Sequence, residues 1–229
     1  MSSFNELIPY NKKKFIFLGE GGSGKSEIAI NFAINLAKNS EKKVHFFDMD
    51  MTKPLFRARD VSSEFEKQGI EFHHEEQYMD APTLVGGVNY LLKDKDSIVV
   101  MDVGGDYIGA RSLGGFAVNL NKDDTVIYYV LNALRPWSYD IEHIDSTLSQ
   151  ILKVSHINLS QLKFIDNTNN GVTTTSKEYI QGNNQMIETV TSYMPIEFSC
   201  VKEDLYDIVN EKVKIPLVPI HLYLTYEWV

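Results

Sequence analysis

The sequence predicts an α/β fold: a doubly wound, mostly parallel sheet of about seven or eight strands with helices on both faces. Three observations carry that prediction. Short apolar runs alternate with helical patterns from one end of the chain to the other. A glycine-rich loop sits between the first apolar run and the first helical pattern. The chain has 229 residues, enough for one large core. It shows no linker, repeat or shift in composition, so residues 1–229 read as a single domain.

The elements follow in order. "KFIFLG" is a short strand of the fully buried type, and "SEIAINFAINLAKNS" follows as a helix. On that helix Glu27, Asn31, Asn35 and Lys38 form one polar stripe, and the other positions are mostly apolar, which predicts a largely buried circumference. "KVHFFDMD" is the second strand. Later strands are "SIVVMDVGG", "TVIYYVLN", "LKFIDN", "PIEFSC" and "PLVPIHLY", the last reading as a sheet edge with an aromatic tail beyond it. Helical patterns fall at residues 60–68, 81–94, 139–153, 175–193 and 202–212. In such a fold polar function collects at the carboxyl ends of the strands.

The loop "GEGGSGKS", residues 19–26, satisfies two phosphate-binding patterns at once. Gly19, Gly21 and Gly24 spell G-x-G-x-x-G, the dinucleotide fingerprint, and Asp48 at the end of the second strand would supply its ribose ligand. Gly19, Gly24, Lys25 and Ser26 spell G-x-x-x-x-G-K-S, the nucleoside-triphosphate P-loop. Lys25 and Ser26 break the tie. A dinucleotide needs no cation there, whereas a triphosphate needs a lysine on its β/γ oxygens and a hydroxyl on Mg²⁺. At ordinary glycine frequency the full P-loop string arises by chance about once in a hundred chains of this length. The backbone of Gly21, Gly22, Ser23 and Gly24, with Lys25, Ser26 and Glu27 opening the helix, is the expected phosphate cradle.

Composition narrows the function class. Apolar residues make up 43% and charged residues 23%, and the net charge is −9. That acidic balance argues against direct DNA binding. Cys200 is the single cysteine, which excludes an intrachain disulfide and a two-cysteine metal motif within one subunit. "MSSFNELIPYNKKK" lacks the apolar centre of a signal peptide, and no apolar run approaches the roughly 20 residues of a membrane span. A cytoplasmic protein without a membrane partner is the expectation.

With "GEGGSGKS", "VHFFDMDMTKP" and "IVVMDVGG" in that order, the chain resembles the deviant-Walker-A ATPases, the ParA/MinD family within the SIMIBI class. "GSGKSEIAINFA", "DMDMTKPLFRARD" and "MDVGGDYIGARSLG" are similar to a set of small ATP-binding proteins in that class, those with a CobQ/CobB/MinD/ParA nucleotide-binding domain. The resemblance implies ATP and Mg²⁺ as ligands. It implies Lys25 as the phosphate clamp, Ser26 as a direct Mg²⁺ ligand, and Asp48 and Asp102 as metal holders through water. It implies Asp50 as the residue orienting the attacking water. Each aspartate also reads as a strand-end cap with ordinary hydrogen bonds. No late strand carries an N/T-K-x-D string, so ATP is favoured over GTP, and Asn167 stands where relatives use an asparagine to read adenine. In "NTNNG" it also reads as a turn former.

Glu20 departs from that family, where its position is normally a lysine reaching the partner's phosphates across a dimer. An acid beside a γ-phosphate is repulsive unless it turns away or pairs. Arg57 and Arg59 in "PLFRARD" and Arg111 in "GARSLGG" are the candidate replacements for the missing cation, with structural ion pairs as the alternative. His73 and His74 are adjacent, hence on opposite faces of a strand and a poor chelate; His45, His143, His156 and His221 are isolated in sequence.

Three functions fit. The first is a slow Mg²⁺-dependent ATPase acting as a nucleotide-controlled switch, with an ATP-dependent homodimer and a protein partner. The second is an ATP-dependent small-molecule synthetase that activates a carboxylate, for which Arg57, Arg111 and Arg135 are the basic candidates. The third is a non-hydrolysing nucleotide-binding scaffold, suggested by Glu20.

Overall fold

The fold is that of a computed structural model, described here for residues 4–50, 61–74 and 87–225. Its centre is a sheet of eight strands: β1 (Lys14–Leu18), β2 (Lys43–Met49), β3 (Glu71–His73), β4 (Ser97–Val103), β5 (Thr125–Leu131), β6 (Leu162–Asp166), β7 (Ile196–Lys202) and β8 (Leu217–Ile220). Their order is β3-β2-β4-β1-β5-β6-β7-β8, and every pairing is parallel. The chain leaves β1 toward β2 on one side of the sheet and leaves β5 toward β6 on the other. The switch point lies between the neighbours β1 and β5, where a ligand crevice belongs.

Both faces of the sheet are covered, so the central strands read as continuous apolar runs rather than alternations. Phe15 and Phe17 of β1 pack on one face with Phe32, Phe46, Val100 and Tyr128. Ile16 and Leu18 pack on the other with Phe47, Met101, Ile127 and Leu148. The first face is closed by α1 (Phe4–Leu7) and α2 (Lys25–Asn39), with Phe32 in ring contact with Phe4, Phe15, Phe17 and Tyr128. Further along lie α3 (Ser62–Lys67) and α4 (Val88–Leu91). The second face is covered largely by α5 (Tyr107–Arg111), α6 (Ala117–Leu120), α7 (Ile141–Ser155) and α8 (Ser176–Val190). The short α9 (Tyr206–Val209) precedes β8.

All seven strands read from sequence are present, with β8 at the expected edge. Besides the short α1, two features differ from expectation. Residues 107–120 form two short helices joined by a 3₁₀ turn, where no helix was expected. Gly104, Gly105, Gly109, Gly114 and Gly115 mask the pattern, and burial of Ala110, Leu113, Phe116 and Leu120 overrides their low propensity. The segment "EFH" forms strand β3, whose parallel pairing sets Glu71 opposite His45 and His73 opposite Phe47. His45 is therefore not isolated: sequence separation hid a cross-strand neighbour.

Candidate nucleotide site

Residues 19–24 carry the chain from β1 into α2 at the switch point. Gly24 stands immediately before α2 with φ +83°, and a Cβ there would lie 2.2 Å from Asn167 Nδ2. Only glycine meets both demands. Lys25 and Ser26 then open the helix, both buried, with the positive end of α2 directed into the cleft.

The acids come from β2 and β4. Parallel register puts Asp48 opposite Asp102, and Asp50 follows β2 directly. Lys25 Nζ lies 2.8 Å from Asp50 Oδ2 and 4.0 Å from Asp102 Oδ1. The backbone N–H of Asp50 donates to Asp48 Oδ1 at 3.2 Å. All three carboxylates are buried, and Asp102 Oδ1 has no hydrogen-bond donor among the described residues. A buried carboxylate oxygen without a donor is the group that a hydrated cation would satisfy. Together with the Ser26 hydroxyl these are hard oxygen donors, so the residues fit Mg²⁺. The sequence-assigned Lys25, Ser26, Asp48, Asp50 and Asp102 are thus brought to one end of the sheet.

A cleft of about 310 Å³ opens over Lys25 and Asp50, walled by Glu20, Gly21, Gly105, Asp106 and Trp137. Gly105 passes so close to the loop that a Cβ would stand 2.3 Å from Gly19 O. The Glu20 carboxylate is held by α7: Thr147 Oγ1 donates to its Oε1 at 2.9 Å. Burial raises its pKa, opposed by the Thr147 hydrogen bond and the nearby His143. The acid in the loop therefore pairs, one of the two escapes open to it.

On the other side of the loop a cavity of about 540 Å³ runs from Gly24 and Ser26 to the carboxyl-terminal segment. Its size suits a nucleoside. Three asparagines hold the loop against it. Asn132, just past β5, donates from Nδ2 to Gly22 O at 3.0 Å and to Asn169 O at 2.9 Å. Its Oδ1 accepts from the N–H groups of Leu134 and Asn169, which uses the whole amide. Asn167 Nδ2 donates to Ser23 O at 2.9 Å, so this residue supports the loop as well as lining the cavity. Beneath them the wholly buried Asp166 accepts from Thr168, Asn183 and Ser199, and burial nonetheless holds its pKa above the ordinary aspartate range.

Glu27 faces the end of the chain. Its Oε2 accepts from Tyr223 N at 2.9 Å and its Oε1 from Leu224 N at 2.6 Å. One turn on, Asn31 donates to His221 O and accepts from His221 N. The polar stripe of α2 docks the terminal segment, which brings Leu222 and Leu224 into the cavity wall. The sequence assigned no part in the site to Asn132, Asn169, Asp166 or this segment, which it gave only as an edge strand with an aromatic tail. A polar residue closing an apolar strand at the switch point was the one signal that pointed to Asn132.

Among the arginines, Arg57 and Arg59 lie outside the described residues. Arg111 closes α5 with an exposed side chain and is not among the residues lining either cavity. Arg135 is at the loop: its Nε donates to Gly22 O at 3.2 Å. Trp137 Nε1 donates to Gly21 O at 3.2 Å.

The fold has solved counterparts. Chloroplast FtsY from Physcomitrella patens has a TM-score of 0.55 at 15% identity, with 84% of this chain and 59% of that one covered. The signal recognition particle receptor FtsY from Elizabethkingia anophelis has a TM-score of 0.51 at 16% identity, covering 89% and 62%. The 54 kDa signal recognition particle protein from Aeropyrum pernix K1, solved with GDP, has a TM-score of 0.51 at 17% identity, covering 84% and 42%. This chain spans less than two thirds of the length of each, and at such identities the likeness is one of fold. No individual curated protein matches the sequence. The CobQ/CobB/MinD/ParA nucleotide binding domain matches residues 14–178, which take in the loop, the acids of β2 and β4, and Asn132 through Asn169. With its glycine loop, buried lysine and strand-end acids gathered at the switch point, the chain belongs to the CobQ/CobB/MinD/ParA nucleotide-binding domain family.

Proposed function

We propose that the chain binds ATP with Mg²⁺, hydrolyses it slowly, and uses the bound nucleotide to control self-association and contact with a protein partner. The observation that carries this reading is the buried Lys25–Asp50–Asp102 set at the amino end of α2, with one Asp102 oxygen lacking a donor among the described residues. Ser26, Asp48 and Asp102 would hold Mg²⁺, which supplies positive charge against the β and γ phosphates. Lys25 clamps those phosphates, and the amides of Gly21 to Gly24 cradle them. Asp50, 2.8 Å from Lys25 Nζ, would orient the attacking water once the lysine turns to phosphate.

Adenine is assigned to the larger cavity, which Asn167 and Asn169 line, since no late strand carries an N/T-K-x-D string to read guanine. A switch is supported by the exposed apolar side chains of Tyr107, Ile108, Trp137 and Tyr139, on the segments that bear Asp106 and Arg135. Among the described residues no helix is long and apolar enough to cross a membrane.

The test is light-scattering mass with and without ATP and Mg²⁺, using Asp50→Ala to limit turnover. A nucleotide-dependent doubling of mass is expected, with binding retained and hydrolysis slowed at least tenfold in Asp50→Ala. An unchanged mass would remove the dimerisation switch, and hydrolysis at the parent rate in Asp50→Ala would remove its assigned role.

A further inference from the structure

We propose that His45, Glu71 and His73 form a binding site for a divalent transition-metal cation, zinc being the best match, which fastens edge strand β3 to β2. Three potential ligand atoms converge there from two strands, with no metal present. His45 Nδ1 lies 2.9 Å from His73 Nε2 and 3.0 Å from Glu71 Oε2, and the last two atoms are 4.0 Å apart. These separations bracket the edge of about 3.3 Å in a tetrahedron whose metal–ligand bonds are about 2.0–2.1 Å.

The hydrogen bonds behind the cluster set its tautomer. Ser97 Oγ–H donates to Asp94 Oδ2 at 2.5 Å, so at 3.3 Å the same oxygen accepts from His45 Nε2–H. That leaves the Nδ1 lone pair of a neutral His45 facing the Glu71 carboxylate, an acceptor against an acceptor. A proton on His45 Nδ1 would make an ion pair with Glu71, whereas a cation at the centre engages all three atoms at once. The Asp94–Ser97–His45 relay is also the outer partner that a ligating histidine ordinarily keeps. Lys43 holds the other Glu71 oxygen, which fixes Oε2 toward the histidines.

The elements are placed for this by the sheet. Parallel pairing puts His45, Phe47, Glu71 and His73 on one face, and Phe47 stacks on His73 at 4.4 Å between ring centroids. His45 is buried, while Glu71 and His73 are partly exposed, which leaves an open side for a fourth, water ligand. Two imidazoles and one carboxylate suit zinc rather than Mg²⁺. Burial lowers the pKa of both histidines, which favours the neutral, ligating form. Among the described residues β3 has only three residues and pairs with β2 alone, so a shared ion would add a bond at a short sheet edge.

The experiment titrates chelator-stripped protein, without nucleotide, with Co²⁺ and then Zn²⁺. Expected are one Co²⁺ per chain with the strong visible absorption of four-coordinate cobalt, displacement by Zn²⁺, and slower amide exchange in β3 when Zn²⁺ is bound. Glu71→Gln and His73→Gln should each weaken Zn²⁺ about 100-fold, while Ser26→Ala at the phosphate site should leave it unchanged. Absence of saturable binding would overturn the site. So would undiminished binding in both variants, with Glu71→Gln informative even if His73→Gln folds poorly. Binding without slower exchange in β3 would overturn the fastening role.

Discussion

On the phosphate side of the cleft Lys25 faces Asp50 and Asp102 across buried charges, whereas on the base side Asn132, Asn167 and Asn169 hold the same loop through neutral amides. The difference separates what binds from what holds. If phosphate and a cation bind there as proposed, they meet buried charges directly, so that side should respond to its ligand. The Asn132 amide is fully used within the protein and gains nothing further from a ligand, so it supplies rigidity. Variants on the two sides should therefore respond differently to Mg²⁺.

The largest effect is expected at Lys25. Lys25→Ala leaves Asp50 and Asp102 buried without their ammonium, at a cost of roughly 3–5 kcal/mol. It should also abolish ATP binding. Because Mg²⁺ can offset the same carboxylates, millimolar Mg²⁺ should restore part of the lost stability. Urea unfolding with and without Mg²⁺ measures this; no recovery would mean that these acids do not form a cation site.

Asn132→Ala sharpens the contrast. It removes the hydrogen bonds to the Gly22 and Asn169 carbonyls and from the Leu134 and Asn169 amides, leaving Arg135 on Gly22 O, for a loss of about 2–3 kcal/mol. Here Mg²⁺ should make no difference to the unfolding midpoint. Mg²⁺ rescue as large as that of Lys25→Ala would erase the distinction between the two sides.

The two sides also differed in legibility. Gly24, Lys25, Ser26, Asp48, Asp50 and Asp102 could be named from the sequence because each lies in a strand-end motif with fixed spacing to its neighbours. The base side draws on residues 132–135, 166–174, 202 and 220–225, whose proximity is a consequence of sheet order rather than of spacing. Asn132 and Asp166 look like ordinary strand ends until β5 and β6 are seen side by side. Glu27 and Asn31 formed a visible stripe, but nothing in the stripe showed that a segment about 190 residues later would lie on it. The same limit hid His45 from Glu71 and His73. The seven longer strands were legible because burial on both faces writes itself as an unbroken apolar run.

Asp166 provides a smaller, pH-dependent test of the base side. Its pKa is raised by burial, so the folded state holds the proton more tightly than the unfolded chain. Its contribution to stability is fully present below the ordinary aspartate value of 3.8 and is lost as pH rises through the elevated folded value. Asp166→Asn does not titrate. Stability of the parent relative to this variant should therefore rise as pH falls from neutrality toward 4, as read from paired urea midpoints. A difference that is flat or falls with acidification would place the Asp166 pKa at or below its unfolded value.

The smallest effect is expected at the tail. Glu27→Gln replaces one carboxylate oxygen by an NH₂ that meets a backbone N–H, so one of the two bonds to Tyr223 and Leu224 is lost. The cost is about 1–2 kcal/mol of docking. It should appear as faster amide exchange at Tyr223 and Leu224, with global stability little changed. Because Leu222 and Leu224 wall the cavity but not the cleft over Lys25, ADP should bind about threefold more weakly while inorganic tripolyphosphate binds as before. Equal weakening of both ligands would show that Glu27 acts through the first turn of α2 and the phosphates. Loss of ADP affinity alone would make the terminal segment part of the nucleoside site, formed only when the last strand is in place.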